Sequence, residues 1–544
     1  MRVGFVVLIL APLAGCLLAH KTQSEPFGRR PMSTRAAFEQ LPADGGRSRV
    51  TSLTDNAEAW VARWQLLGGA RDRIDVTYFI VDQDVFGMAF LGHLYKKAID
   101  GIKVRVLVDG RGSSSFITPG VGKKDFLQEL VSTGLVEVRI YNPPLKQIAK
   151  AFVQVGARSS QALAGTHNKI LIADNARAIT GGRNIARSYY ASAAEEQHGF
   201  YDADVFVTGA AVQGIADAMN RDLQIVNRED IDKDLMNFAP KREELLMVYG
   251  AMDAWLKGKV PMEPLKDALF ALEAAALAQL PTLPERSVRD AVRPHLQELA
   301  LLHSLHGAFD MDIGTPHKSD VRVIGSGSLV QDDTDEAGEA LLTAISGATS
   351  SIWIESPYFV LTPQVLEALS DASRRGVAIE IITNSALSTD NTMSASLFLD
   401  TWPELMARVP TMRVFVKSNL PTLHAKRAVF DDALTLIGSY NLDPLSAFVN
   451  SELIVAVWSP GFNDETRQQM SSCLHSGDML EYTIDRDQLA QPRRHPRGHP
   501  FAGRVVVKFG PRDHVSAEQI SSLVATKDMM IGIKDMWQLQ IVVY

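Results

Sequence analysis

One string of residues occurs twice in this chain. His167-Asn168-Lys169 is followed after four residues by Asp174 and after six more by Gly181-Gly182-Arg183-Asn184, while His424-Ala425-Lys426 is followed at the same offsets by Asp431 and Gly438-Ser439-Tyr440-Asn441. Histidine, lysine, aspartate, glycine and asparagine agree position for position. Coincidence on that scale is negligible, so the chain has to fold as two like halves.

The residues leading to each copy repeat the same plan. First come a β-rich segment from Ile74 to Val81, a helix with Phe90, Leu91, Leu94 and Ala98 at helical spacing, a stop at Gly101, and strands at Val104 to Val108 and Val136 to Tyr141. The second half returns a strand at Ser351 to Ser356, a helix with Leu366, Leu369 and Ala372, a stop at Arg375-Gly376, and strands at Val377 to Thr383 and Met412 to Val416. This alternation predicts an α/β fold: two similar α/β/α halves with pseudo-two-fold symmetry, each with a parallel or mixed sheet. Between them, residues 226–318 switch to helical periodicity, with Leu265, Leu269, Leu272 and Ala276 on one stripe and Ser287 placed to cap a helix bearing Val288, Val292, Leu296 and Leu299. The segment reads as a helical insertion, and His303, His306, Asp310 and Asp312 within it lack the spacing of a metal site. The expected division is a signal peptide at 1–15, a tether at 16–49, halves at 50–225 and 319–480 flanking the insertion, and a divergent tail at 481–544.

On an extended backbone, residues i and i+2 face the same side, so His167 points with Lys169 and His424 with Lys426. If the halves meet about a two-fold axis, one cleft holds two imidazoles and two ammonium groups. That is equipment for phosphoryl transfer: the lysines neutralise non-bridging oxygens, Asn184, Asn441 and Ser439 donate hydrogen bonds, one histidine attacks phosphorus and the other protonates the departing oxygen. The scheme calls for neither metal nor cofactor, and lysines beside the histidines would repel a cation. Asp174 and Asp431 are expected to anchor loops rather than move protons.

The doubled motif resembles that of the phospholipase D superfamily. Within it, Gly-Gly-Arg-Asn-Ile at 181–185, Ser356-Pro357-Tyr358-Phe359, Thr383-Asn384-Ser385 and Asn450-Ser451-Glu452 are similar to the bacterial cardiolipin synthase C branch. The resemblance implies that His167 is the nucleophile forming a phosphohistidine, that His424 is general acid and later base, and that Asp202 and Glu452 are the carboxylates holding the second ring nitrogen of the histidines. It implies a phosphatidyltransferase making cardiolipin from phosphatidylglycerol, with phosphatidylethanolamine as a further candidate lipid; hydrolysis to phosphatidic acid and a nuclease activity are the alternatives. Three departures stand out. Leu163-Ala164-Gly165-Thr166 lack the branch's arginines, the insertion lacks its tryptophan-rich pattern, and the tail, with Arg493, Arg494, Arg497 and Arg504, is unlike the branch's C-terminus.

Composition bears on the partner. With 55 basic against 63 acidic residues the net charge is −8, and no broad positive field speaks for nucleic acid. Arg2 precedes an apolar run from Val3 to Leu13 that is too short to span a bilayer and fits a signal-peptide core. Leu13-Ala14-Gly15-Cys16 resembles a bacterial lipobox, in which Cys16 is acylated, and Leu17 after it leans toward the outer membrane. The expected partner is a phospholipid membrane and the expected location a lipoprotein facing the periplasm.

Overall fold

In the computed structural model the described residues are 32–483, except 43, 114, 116–124, 143–163, 227–240, 330 and 332–333, together with 492–494 and 500–502. Cys16 and the N-terminal apolar run lie outside them.

The first half contributes strands β1 (Gly45–Leu53), β2 (Arg73–Tyr78), β3 (Lys103–Asp109), β4 (Val136–Tyr141), β5 (Ile170–Ala173), β6 (Arg177–Gly181), β7 (Phe200–Tyr201) and β8 (Asp204–Gly209). The second contributes β9 (His317–Ser326), β10 (Ser351–Glu355), β11 (Ala378–Asn384), β12 (Met412–Lys417), β13 (Thr422–Leu423), β14 (Arg427–Phe430), β15 (Leu434–Gly438), β16 (Glu452–Trp458) and β17 (Met479–Tyr482). Fifteen of these form one sheet in the order β17-β12-β11-β10-β14-β15-β16-β9-β1-β8-β6-β5-β2-β3-β4. Read outward from the β1–β9 seam, the two wings have the same strand sequence, except that β17 extends the second wing beyond β12. β1 and β9 pair antiparallel, as a two-fold axis between them requires.

Each wing is mixed. β2, β3 and β4 run parallel, as do β10, β11 and β12, joined by helices such as Val85–Ile99 and Pro363–Arg374, while the motif hairpins β5–β6 and β14–β15 are antiparallel. Parallel neighbours need crossovers, and the periodic apolar helices supply them. Gly101 and Gly376 follow those two helices at φ +95° and +84°, where a side chain would be strained. Two main apolar cores result, one around Trp60, Phe86 and Tyr190, the other around Ile354, Leu369 and Val414.

Three differences from the sequence reading have physical reasons. Residues 34–40 are a helix and 45–53 are β1, so the later part of the expected tether is built into the seam: Phe38 and Val50 are buried, and alternating Arg47, Arg49 against Ser48, Val50 was a strand signal. Secondly, the halves share one continuous sheet rather than two. Thirdly, the helix Arg286–Leu299 starts two residues earlier than a Ser287 cap would require; Glu285 is its N-cap, and the Ser287 hydroxyl donates to that glutamate at 3.3 Å. That helix, with Arg242–Leu256 and Leu265–Leu277, packs on the first half. His306 Nε2 meets the Val260 carbonyl at 2.8 Å. Pro492–Arg494 pairs with Pro500–Ala502 as a short antiparallel hairpin. Among the described residues, no helix is long and apolar enough to cross a membrane.

Candidate active site

The two histidine-lysine pairs lie not within β5 and β14 but in the extended residues just before them. These lead-ins find their backbone partners in the opposite half. Thr166 bridges to Ser451, with His167 N–H donating to the Ser451 carbonyl at 3.0 Å and Ser451 N–H to the Gly165 carbonyl at 2.9 Å. On the other side β13 pairs with β7, and His424 N–H donates to the Tyr201 carbonyl at 2.7 Å. Ser451 precedes Glu452 and Tyr201 precedes Asp202, so this register sets each carboxylate against the histidine of the other half.

The side chains complete the exchange. His424 Nδ1 is 2.6 Å from Asp202 Oδ2, and His167 Nδ1 is 3.1 Å from both Glu452 and the Ser439 carbonyl. All these partners are acceptors when the carboxylates are ionised, so Nδ1 carries a ring proton and Nε2 is the nitrogen left to react. Burial opposes the carboxylate charges, yet Lys426 and His424 hold Asp202 below its ordinary pKa, and His167, Lys169 and Ser439 do the same for Glu452. Glu452 also accepts from the Ser439 hydroxyl and, at 2.7 Å, from Ser446. In the first half the counterpart of Ser439 is Gly182, where a Cβ would meet Asp202 Oδ1 at 2.0 Å; the glycine leaves room for the carboxylate.

Lys169 Nζ donates to the His167 carbonyl at 2.6 Å, and Lys426 Nζ lies 2.9 Å from His424 Nδ1 and 3.2 Å from Nε2. Both histidine-lysine pairs are buried, and burial is the largest influence on all four groups. It pushes His167 down to about 4, with Glu452 opposing and Lys169 adding to the fall, and it lowers Lys169 to about 7, Lys426 contributing. His424 and Lys426 are lowered in the same sense. Lys426 acts on His167 and Lys169, and Lys169 acts on Glu452, so the two halves form one electrostatically coupled cluster in which a phosphodiester anion would favour the charged lysines. Phe79 packs edge-on to His167 at 5.3 Å; Tyr189 and Phe200 pack against His424 at 5.4 and 4.9 Å.

Other residues named from the sequence take different places. Asn184 accepts from Ile80 N–H at 3.0 Å and donates to the Tyr189 hydroxyl at 2.9 Å, so it is spent on holding the aromatic wall of His424. The Ser439 hydroxyl is likewise spent on Glu452. Asn441 is buried with its side-chain oxygen unpartnered. Asp174 accepts backbone N–H groups of Arg71, Asp72 and Arg73, and Asp431 those of Thr349, Ser350 and Ser351 together with the hydroxyls of Thr34, Thr349 and Ser350. Both aspartates sit at positive φ, +55° and +46°, and fasten the motif hairpins to the starts of β2 and β10.

Three contributors had no sequence signal. Buried Asp222 accepts from Thr166 Oγ1 at 2.8 Å, Asn168 at 2.9 Å, Gln331 at 3.0 Å and Ser451 Oγ at 3.1 Å, pinning the His167 lead-in to its partner Ser451 from beneath. Asp109 accepts from Thr166 N–H at 3.0 Å, as Asn384 accepts from Leu423 N–H at 3.0 Å in the other half. Arg111 places its guanidinium over Gly165, where a Cβ would lie 2.3 Å from it.

Two buried imidazoles, each held at Nδ1 by a carboxylate and flanked by a lysine across a pseudo-two-fold axis, define an enzyme of the phospholipase D type. The chain belongs to the family described as cardiolipin synthase, PLD-like domain, whose model matches residues 64–221 and 341–474, more than half its length. It is 25% identical to cardiolipin synthase C of Escherichia coli K12 over 425 residues, covering 75% of this chain and 81% of that protein. It is 24% identical over 495 residues to an uncharacterized protein of Helicobacter pylori J99, covering 86% and 88%. Phosphatidylserine synthase of Haemophilus influenzae Rd KW20 shares the fold, with a TM-score of 0.50 and 14% identity over 82% of this chain and 91% of that one.

Proposed function

We propose that this protein is a membrane-associated phosphatidyltransferase that makes cardiolipin from phosphatidylglycerol through a phosphohistidine. The observation that carries the proposal is the exchange of carboxylates, which holds a proton on Nδ1 of both histidines and leaves Nε2 as the reacting nitrogen, bare in His167 and protonated in His424. His167 Nε2 attacks the phosphorus of an anionic phospholipid; the bond to the headgroup oxygen breaks, and His424, entering this step as the imidazolium beside Asp202, delivers from Nε2 the proton that this oxygen needs. A hydroxyl of phosphatidylglycerol then gives its proton to His424 and attacks the phosphatidyl-histidine, restoring the His167 imidazole and the His424 imidazolium. Lys169 and Lys426 neutralise the non-bridging oxygens throughout, and Glu452 and Asp202 stabilise each imidazolium as it forms. Membership of the family and the similarity to a cardiolipin synthase over most of both chains support lipid rather than nucleic acid as substrate, as does the net charge of −8. An acyl chain on Cys16, with the residues after it as a tether, would hold the cleft beside a periplasmic membrane face, the outer membrane being favoured by Leu17.

Mass spectrometry of lipids after mixing the pure protein with phosphatidylglycerol, with and without phosphatidylethanolamine, tests this, with His167→Ala and His424→Ala as controls. Cardiolipin is expected from the wild type and none from either variant. Phosphatidic acid alone would make the protein a hydrolase, and unchanged lipid would overturn the reading.

A further inference from the structure

The two wings do the same job with matched residues at most places, so an unmatched charge at the site calls for explanation. Asp109 closes β3 and holds the Thr166 N–H; Asn384 closes β11 and holds the Leu423 N–H. Two residues beyond Asp109 stands Arg111, and two beyond Asn384 stands Ala386, which is buried. The scaffold therefore does not need a guanidinium there. It has one on the His167 side and nothing on the other.

Arg111 is placed by its surroundings and is nearly unspent. Its backbone N–H and that of Gly112 bind Asp109 Oδ1 at 2.9 and 3.2 Å, fixing the turn. One terminal nitrogen lies over Gly165 and donates to Asn450 Oδ1 at 3.3 Å, while the buried Nε has no hydrogen-bond partner among the described residues. Asp109 stands 3.9 Å from that Nε, but its two oxygens already accept three backbone N–H groups. The guanidinium carbon lies 5.8 Å from the Phe79 ring centre, Lys169 Nζ lies 5.6 Å from the same centre, and the His167 ring packs on its edge. Two cations drawn to the ring beside an imidazole with a free Nε2 make a receptor for an anion attached to that nitrogen.

We propose that Arg111 is a further catalytic residue, binding a non-bridging oxygen of the phosphoryl group on His167 and so making His167, not His424, the nucleophile. This rests on the phosphohistidine reading above. As the Nε2–phosphorus bond forms and the headgroup oxygen leaves, the charge on the remaining oxygens stays on the His167 side, where Arg111 offers a guanidinium and the matching position of the other half, Ala386, does not.

The test uses the full chain and phosphatidylglycerol in detergent micelles, with wild type, Arg111→Met, which keeps the apolar stem, and Arg111→Lys, which keeps the charge. Phosphatidyl-histidine is trapped by alkaline quench and located by peptide mass spectrometry, and kcat, KM and Tm are measured. The label is expected on His167. Loss of one charge-assisted bond should lower the rate of label formation and kcat in Arg111→Met by roughly tenfold to a hundredfold, with partial recovery in Arg111→Lys and an unchanged Tm. A wild-type rate in Arg111→Met, a change confined to KM, a loss that follows Tm, or label on His424 would each overturn the proposal. Absence of any label in a turning-over wild type would instead remove the phosphohistidine reading on which it rests.

Discussion

Asp202 and His424 are 222 residues apart in sequence and 2.6 Å apart at their hydrogen-bonding atoms. The mirror pair, Glu452 with His167, spans 285 residues. Each imidazole therefore works with a carboxylate from the half it does not belong to. Asp202→Asn should alter the titration and ring-nitrogen shifts of His424 and leave those of His167 in place, with Glu452→Gln doing the reverse. Nitrogen-15 NMR of histidine-labelled protein reads this directly, and an effect of Asp202→Asn on His167 would show the pairing to be within halves.

The motif aspartates are expected to matter for stability rather than chemistry. Each accepts three backbone N–H groups at the start of a strand, and a hydrogen bond to a charged acceptor contributes about 1.5–3 kcal/mol. Asp174→Ala should cost about 2–4 kcal/mol in urea unfolding by that reckoning. Asp431→Ala should cost more, because its carboxylate also receives three hydroxyls, Thr34 among them. Asparagine, which tolerates positive φ, should be milder at both places. A kcat reduced well beyond the loss of folded protein would assign these residues a chemical part instead.

Stability should fall in mild acid. His167 has its pKa lowered from 6.5 to about 4, so the unfolded chain binds the proton first, and the contribution present above pH 6.5 is lost as pH drops toward 4. Lys169, lowered from 10.5 to about 7, gives a second rise in stability between pH 7 and 10.5. In His167→Gln the acid slope should flatten relative to wild type in chemical denaturation at a series of pH values. An equal slope in the two proteins would place the acid sensitivity elsewhere.

Cys16→Ser is expected to move the protein from the membrane to the soluble fraction of a cell lysate, as removal of an acylation site would. Unchanged fractionation would assign anchoring to another part of the chain.

Much of this was legible from two lines of sequence. The repeat forced two like halves, and apolar periodicity located β2, β3, β4 and β10 to within a residue or three, because each carries buried apolar residues in strand register and their helices cross over regularly. The histidines and lysines announced themselves by spacing. The shared cleft was foreseen; what stayed hidden was which residue of one half serves which residue of the other. No feature near Asp202 tells that it serves His424, and Ser439 and Asn184 look like phosphate ligands until Glu452 and Tyr189 are seen to occupy them. Arg111 and Asp222 belong to no motif; folding alone brings them under and beside Gly165 and Thr166.

On the proposed two-histidine mechanism, the shared seam and the crossed carboxylates also set when in its life the molecule could act on lipid. A chain still growing from the ribosome, with all of its first half complete, would have His167 but neither the oxygen atoms that orient it nor the proton donor it needs. Chemistry begins only after Glu452 has emerged and folded back onto β1 through β9. The enzyme is thus inert by construction for most of its synthesis, and any break that removes the later half silences the earlier one.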